Sequence, residues 1–272
     1  MSALKKAFNF FVFTSIYIAV CAVIMTLQTN QLLQLDYDIR AYLWFVFFST
    51  ICSYNFHWYL TPEAETERLR VRWTQEHKLL HFLLFCIGVA GSVWYYFYFI
   101  EHWFWLSGAA LLTFLYSAPK LAFRPFLYLR KIAIGKTIFL SFVWMYVTTL
   151  LPLIFSESRF TGKEILFCLS RFLFIYAICI IFDYWDRTND RKEGVKSMIT
   201  YFSEKGVNRL FYASLLLFFL TGPALYYCGF SPLIITLWLL PGALVGYLYR
   251  RAKTDFSDYL YYVVLDGLMM LP

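Results

Sequence analysis

Nine long apolar blocks run along this chain, at about 8–28, 41–60, 79–99, 103–118, 133–155, 164–183, 209–228, 232–249 and 256–272. A helix needs roughly 20 apolar residues to cross about 30 Å of hydrocarbon. A bilayer offers backbone groups no water, so blocks of this kind are either helices or the strands of a closed barrel. Barrel strands alternate apolar and polar residues. These blocks do not, and the expected fold is therefore all-α: a polytopic membrane bundle of about nine transmembrane helices. Composition agrees, since only 15% of the residues are charged, against about 25% in soluble domains. The chain reads as a single transmembrane domain over 1–272, without a linker or a low-complexity run.

Charge gives the orientation. With the N-terminus placed in the cytosol and the sides alternated, nineteen of the 24 lysines and arginines fall in cytosolic segments. Three, Arg40, Arg159 and Lys163, fall on the opposite side, while Lys136 and Arg171 lie within helices. That asymmetry is the positive-inside pattern. It accounts for the net charge of +7 without nucleic acid and orients a multi-pass protein, which is expected in the plasma (inner) membrane because nothing in the sequence suggests a transit peptide. The first apolar block is too long for the core of a cleavable signal and is expected to stay as a helix. The six cysteines sit in or beside apolar stretches and form no CxxC pair, so they read as small buried hydrophobes.

Chemistry concentrates where the sixth block ends. Asp183, Asp186 and Asp190 are spaced i, i+3, i+7, which puts them on one helix face within about 60° of arc. Three carboxylates on one face repel one another unless a cation sits among them. Mg²⁺ suits such oxygens and usually takes one or two carboxylates together with substrate phosphates. Nearby bases, Arg187 among them, suit a polyphosphate. The competing reading is a solvated polar loop that marks a helix end.

The second block ends in Tyr54-Asn55-Phe56-His57-Trp58-Tyr59-Leu60-Thr61-Pro62-Glu63. Asn55 lies at the hydrocarbon edge, where a polar side chain needs a partner. The topology puts it at the same level as the aspartates, so the two polar helix ends are expected to face one cavity. Thr61-Pro62-Glu63 also reads as an N-cap, a first-turn proline and a first-turn acid. Lys120 lies in the loop before the fifth block and Lys136 one turn inside it, and both suit either diphosphate contact or snorkelling. Arg68, Arg70 and Arg72 alternate, so at most two face the site, with Arg72 as one candidate. His77 and His81 have the i, i+4 spacing of metal ligands but no third partner in sequence. Arg171 and Asp266 lie within blocks and are expected to pair with each other or with other buried polar groups.

The segment from Asp183 to Ser197 resembles the second aspartate-rich motif of the UbiA superfamily of intramembrane prenyltransferases, roughly D-x-x-D-x-x-x-D followed by Gly and Ser or Thr. The segment around Asn55 stands where the first motif stands, usually N-D-x-x-D-x-x-x-D. Here Phe56 and Tyr59 occupy aspartate positions, and Glu63 the last one. Tyr116-Ser-Ala-Pro-Lys120 is similar to the family's Tyr-rich loop after the fourth helix. The resemblance implies a Mg²⁺-dependent transfer of a prenyl group from a polyprenyl diphosphate to an aromatic or similar acceptor. Carried onto this sequence, it implies Asp183, Asp186, Asp190, Asn55 and Glu63 as metal ligands. Lys120, Lys136, Arg72 and Arg187 become the diphosphate contacts. The missing first-motif aspartates also admit a non-catalytic member of the same fold. A transporter would need polar groups at the midplane, where the sequence offers little besides Asp266 and Arg171.

Overall fold

The computed structural model describes residues 2–61, 68–121, 135–157, 159–192 and 197–271. Every element among them is helical. In chain order these are α1 (Ala3–Phe13), α2 (Ile16–Leu33), α3 (Ile39–Tyr59), α4 (Leu69–Glu76), α5 (Lys78–Tyr96), α6 (Trp103–Ser117), α7 (Lys136–Phe155), α8 (Gly162–Lys192), α9 (Met198–Tyr201), α10 (Glu204–Tyr227), α11 (Pro232–Ala252) and α12 (Leu260–Met269). Each of the nine apolar blocks overlaps one of these helices. Among the described residues six stretches are long and apolar enough to cross a membrane: Ile16–Leu33, Lys78–Ser117, Lys136–Phe155, Gly162–Thr188, Glu204–Tyr227 and Pro232–Ala252. Lys78–Ser117 contains two expected blocks, α5 and α6, joined through a 3₁₀ segment at Phe97–His102. α12 is apolar but short.

The first block is not one helix. It breaks at Thr14–Ser15, where Ser15 takes a φ of 67°. A non-glycine residue in that left-handed region is uncommon and costs free energy. Two distant side chains hold the break. The Asn55 Nδ2 donates to the Thr14 carbonyl at 3.0 Å, and the Arg70 Nη2 donates to the Ser15 hydroxyl at 3.3 Å.

α7 carries a different irregularity. Pro152 has no N–H, so the carbonyl four residues earlier, on Thr148, loses its helical donor. The Thr29 hydroxyl of α2 donates to it at 2.8 Å. Beside it the chain makes a π turn over Tyr146–Leu150, and the Tyr42 hydroxyl of α3 donates to the Val147 carbonyl at 2.6 Å. Buried backbone irregularities need such partners. Here they also bind α7 to α2 and α3.

α3 and α5 pack closely because of a glycine. A β-carbon at Gly88 would stand 2.5 Å from the Cys52 backbone nitrogen. Small residues let membrane helices approach in this way, gaining dispersion contact where no hydrophobic drive exists.

Arg171 is buried in the middle of α8. It pairs with another polar group rather than with Asp266. Its Nη1 donates to Gln28 Oε1 at 3.1 Å, and its guanidinium lies 4.5 Å from the Trp238 ring centroid. Asp266, buried at the start of the last turns of α12, has no ion pair among the described residues.

Candidate functional site

α8 is a continuous 31-residue helix. Its apolar span ends at Thr188, so Asp183 and Asp186 stand in the last turns of that span and Asp190 just beyond it. The expected one-face spacing holds, and two of the three carboxylates converge on one cation. Lys136 Nζ lies 3.5 Å from Asp183 Oδ1 and 3.6 Å from Asp190 Oδ2. Lys136 is the first residue of α7. Asp183 therefore faces the N-terminus of α7, whose free amides and dipole favour an anion. The Thr137 hydroxyl also donates to Asp183 Oδ2. Asp183 is only 5% exposed, and a charge so buried needs every one of these partners.

Asp190 is less well served. Its Oδ2 is buried and accepts no hydrogen bond among the described residues. Burial pushes the Asp190 carboxyl up to about 6, with Lys136 acting against the rise and Asp186 and Asp183 adding to it. Asp186 turns to a different cation. Arg68 Nη1 donates to its Oδ1 at 2.6 Å, while Arg68 Nη2 donates to the Trp185 carbonyl at 3.1 Å. The Arg68 guanidinium also lies over the Trp185 ring, 4.2 Å from its centroid.

The other expected contacts distribute differently. Lys120 reaches back to the end of α3, donating to the Thr61 hydroxyl at 2.7 Å and to the His57 carbonyl at 3.2 Å. Lysine there satisfies a helix C-terminus. Arg187 forms an ion pair with Glu204 at 3.1 Å and donates to the Phe202 carbonyl. Arg72 is exposed on α4, and its alternating neighbours Arg68 and Arg70 face inward instead. Glu63 lies outside the described residues.

Asn55 is fully occupied by packing. It is 0% exposed. Its Nδ2 donates to Thr14 and to the Ile51 carbonyl at 2.8 Å, and its Oδ1 lies 2.7 Å from His81 Nδ1. No described contact brings it to Asp183. His77 bonds the Trp73 carbonyl, so the His77–His81 pair does not share one ligand. Among the described residues no three acid, histidine or cysteine side chains converge as a ready-made metal site.

Of the three alternating arginines, the two that face inward are Arg68 and Arg70, not the candidate Arg72. Arg70 is buried between the rings of Trp58 and Tyr262, 4.3 and 4.2 Å from their centroids. Asp258 fixes the phase of α4, because its Oδ2 accepts from the Arg70 backbone amide at 3.3 Å. The 68-70-72 alternation was the available signal. The helix start that selects among the three depends on Asp258, which is remote in sequence.

The geometry supplies two carboxylates of α8 around one cation of α7, with Arg68 on the third carboxylate. A divalent cation fits it in one specific sense. Asp183 and Asp190 already flank a positive charge, and the buried Asp190 Oδ2 has a free acceptor position. Two carboxylates are what Mg²⁺ commonly takes from a protein, with phosphate oxygens completing the shell.

No family model matches this chain, and no curated protein does. A solved structure of a digeranylgeranylglyceryl phosphate synthase in membranes superposes with a TM-score of 0.53, over 97% of this chain and 93% of that one, at 15% identity. The likeness establishes the shared fold, and with it the helical membrane bundle expected from the sequence.

Proposed function

We propose that this chain is an intramembrane prenyltransferase of the UbiA type, moving a prenyl group from a polyprenyl diphosphate to an acceptor. The observation that carries the reading is the cation held between Asp183 and Asp190 at the end of a membrane bundle. The fold neighbour adds support, being by name the synthase of a prenylated glyceryl phosphate. In this reading the chain crosses the membrane nine times, with its N-terminus and the aspartates on the cytosolic side.

Asp183 and Asp190 would hold Mg²⁺, with Asp186 behind them. When bound, Mg²⁺ supplies positive charge to a diphosphate leaving group. Lys136 offers a mobile ammonium to the same phosphates, and Arg68 a planar fork at the rim. Such donors stabilise the charge that develops as the allylic C–O bond breaks. The carbocation left behind needs a dry, electron-rich wall. Tyr54 stacks edge-on with Trp144, and Tyr116 lies against His57. These rings are suited to that task by cation–π attraction. Water exclusion keeps the cation for the acceptor.

The test is diphosphate release by purified protein given a series of prenyl diphosphates, with and without Mg²⁺. Mg²⁺-dependent release that is lost in Asp183→Asn supports the reading. One observation favours a second reading, a prenyl diphosphate binder without turnover: the Asn55 end of the site is committed to packing. Binding of the diphosphate without its release would select that one.

A further inference from the structure

One more carboxylate reaches the interior beneath the aspartates of α8. On α8, Cys179 lies four residues before Asp183, about 6 Å deeper in the bundle. Asp183 and Lys136 act electrostatically on its thiol, and so does Asp266 of α12. Asp266 also acts on Tyr54 of α3. The Tyr54 ring meets Trp144 of α7 edge-on, with centroids 6.2 Å apart. Four helices thus bring Asp266, Tyr54, Trp144 and Cys179 together on the membrane side of the Lys136 ion pairs.

The backbone aims Asp266 there. α12 makes a π turn over Leu260–Leu265, and the Asp266 amide donates to the Tyr261 carbonyl, five residues back. That spacing sets Asp266 over Tyr261, whose ring stacks on Trp185 of α8 with centroids 4.0 Å apart. The Tyr17 hydroxyl of α2 donates to the Val263 carbonyl of the same turn at 2.8 Å. It also presses on Gly267, where a β-carbon would stand 2.3 Å from it. Single π turns inside helices occur frequently at functional sites.

Asp266 has no part in holding the fold. It is 8% exposed, yet among the described residues its carboxylate accepts no hydrogen bond and makes no ion pair. Arg70, the cation that acts on it, is taken up by the rings of Trp58 and Tyr262 instead. A buried carboxylate without a partner costs free energy, and an ionisable group inside a membrane marks a functional site by default. What the neighbourhood lacks is a positive charge, which the faces of Tyr54 and Trp144 would also attract. An inorganic cation needs more oxygen ligands than these side chains offer. An allylic cation needs none, and its apolar body suits the rings.

We infer that Asp266 is a catalytic residue whose charge stabilises the allylic cation of the prenyl donor, on the side away from the diphosphate. The inference rests on the prenyl-transfer reading. When the C1–O bond breaks, its electron pair leaves with the diphosphate, and the positive charge spreads over C1 and C3 of the allyl group. Asp266 neither gains nor loses a proton in this step. A negative charge already fixed beside those carbons lowers the barrier without reorganisation.

Full-length protein in neutral-lipid nanodiscs is titrated calorimetrically with farnesylamine, whose ammonium stands in for the charged C1, and with uncharged farnesol. The wild type is expected to prefer farnesylamine by at least about tenfold. Asp266→Asn should lose most of that preference and Asp266→Glu should keep it, with farnesol affinity unchanged as the control for folding. Mg²⁺-dependent diphosphate release from farnesyl diphosphate should fall at least about tenfold in kcat in Asp266→Asn, with KM little altered. The melting temperature of Asp266→Asn should equal or exceed that of the wild type, because the variant removes an unpaired buried charge. No preference in the wild type, a wild-type preference in Asp266→Asn, or an unchanged kcat overturns the inference. So does a lowered melting temperature, which would assign Asp266 to the fold. No release by the wild type, with the Asp266-dependent preference intact, overturns the prenyl reading and leaves a cation site.

Discussion

The ammonium of Lys136 lies 3.5 Å from the carboxylate of Asp183, joining the first residue of one helix to the late turns of another. The same ammonium lies 3.6 Å from Asp190. A lysine between two acids offsets their mutual repulsion. It is also the group that a divalent ion would release toward a phosphate.

Lys136→Met should therefore expose the repulsion it conceals. Removing one partner of a buried ionic cluster typically costs about 3–5 kcal/mol, and the partial exposure of Lys136 brings the expectation to about 1–3 kcal/mol. Excess Mg²⁺ should raise the melting temperature of the variant by more than that of the wild type, because it binds only the folded cluster. Equal shifts in thermal melts would count against a cation exchange at this position.

Asp190 gives the Lys136 ion-pair cluster a pH dependence. Its carboxyl is held up at about 6, from an ordinary 3.8. The folded protein thus binds this proton more tightly than the unfolded chain does. Stability from this group is present below about pH 4 and is lost as pH rises toward 6. Divalent cation binding runs the opposite way, because only the carboxylate is a ligand. Mg²⁺ affinity, followed by calorimetry, should fall as pH drops through 6, and Asp190→Asn should flatten that dependence.

Asn55→Leu should behave as a folding variant. It strands the Thr14 carbonyl and the His81 ring, each worth about 1–3 kcal/mol when left unpaired in a buried place. Denaturation should show a loss of about 2–4 kcal/mol, with diphosphate affinity retained in the folded fraction. A stable Asn55→Leu protein that no longer binds diphosphate would instead return Asn55 to the ligand set.

Gly88→Leu should separate α3 from α5, since even a β-carbon meets the Cys52 backbone. Overpacking costs about 1–3 kcal/mol when neighbours can yield, and backbone yields less than side chains. Loss of the monodisperse peak in size-exclusion chromatography is the expected result, with Gly88→Ala milder. Normal behaviour of both variants would mean that the two helices are free to move apart.

The helical bundle and the acidic face were legible because both are local patterns: block length, and the i, i+3, i+7 spacing of Asp183, Asp186 and Asp190. What stayed hidden depends on residues far apart in the chain. Thr14 and Ser15 sit comfortably in an apolar helix, and their break is visible only once Asn55 and Arg70 are beside them. Asn55 looked like a ligand because an intramembrane amide must have a partner, and the partner proved to be that break. Arg72 was indistinguishable from Arg68 until Asp258 fixed where α4 begins. Pro152 announced a free carbonyl, but nothing near it named Thr29 as the donor.

The buried Arg171 has a mechanical consequence. It pins α8 to Gln28 and to the ring of Trp238, about 18 Å along the helix axis from Asp183 at 1.5 Å per residue. With no break in between, the rod has a fixed pivot, and its acidic tip cannot rise or sink independently. A thicker or thinner bilayer tilts such a rod instead of sliding it.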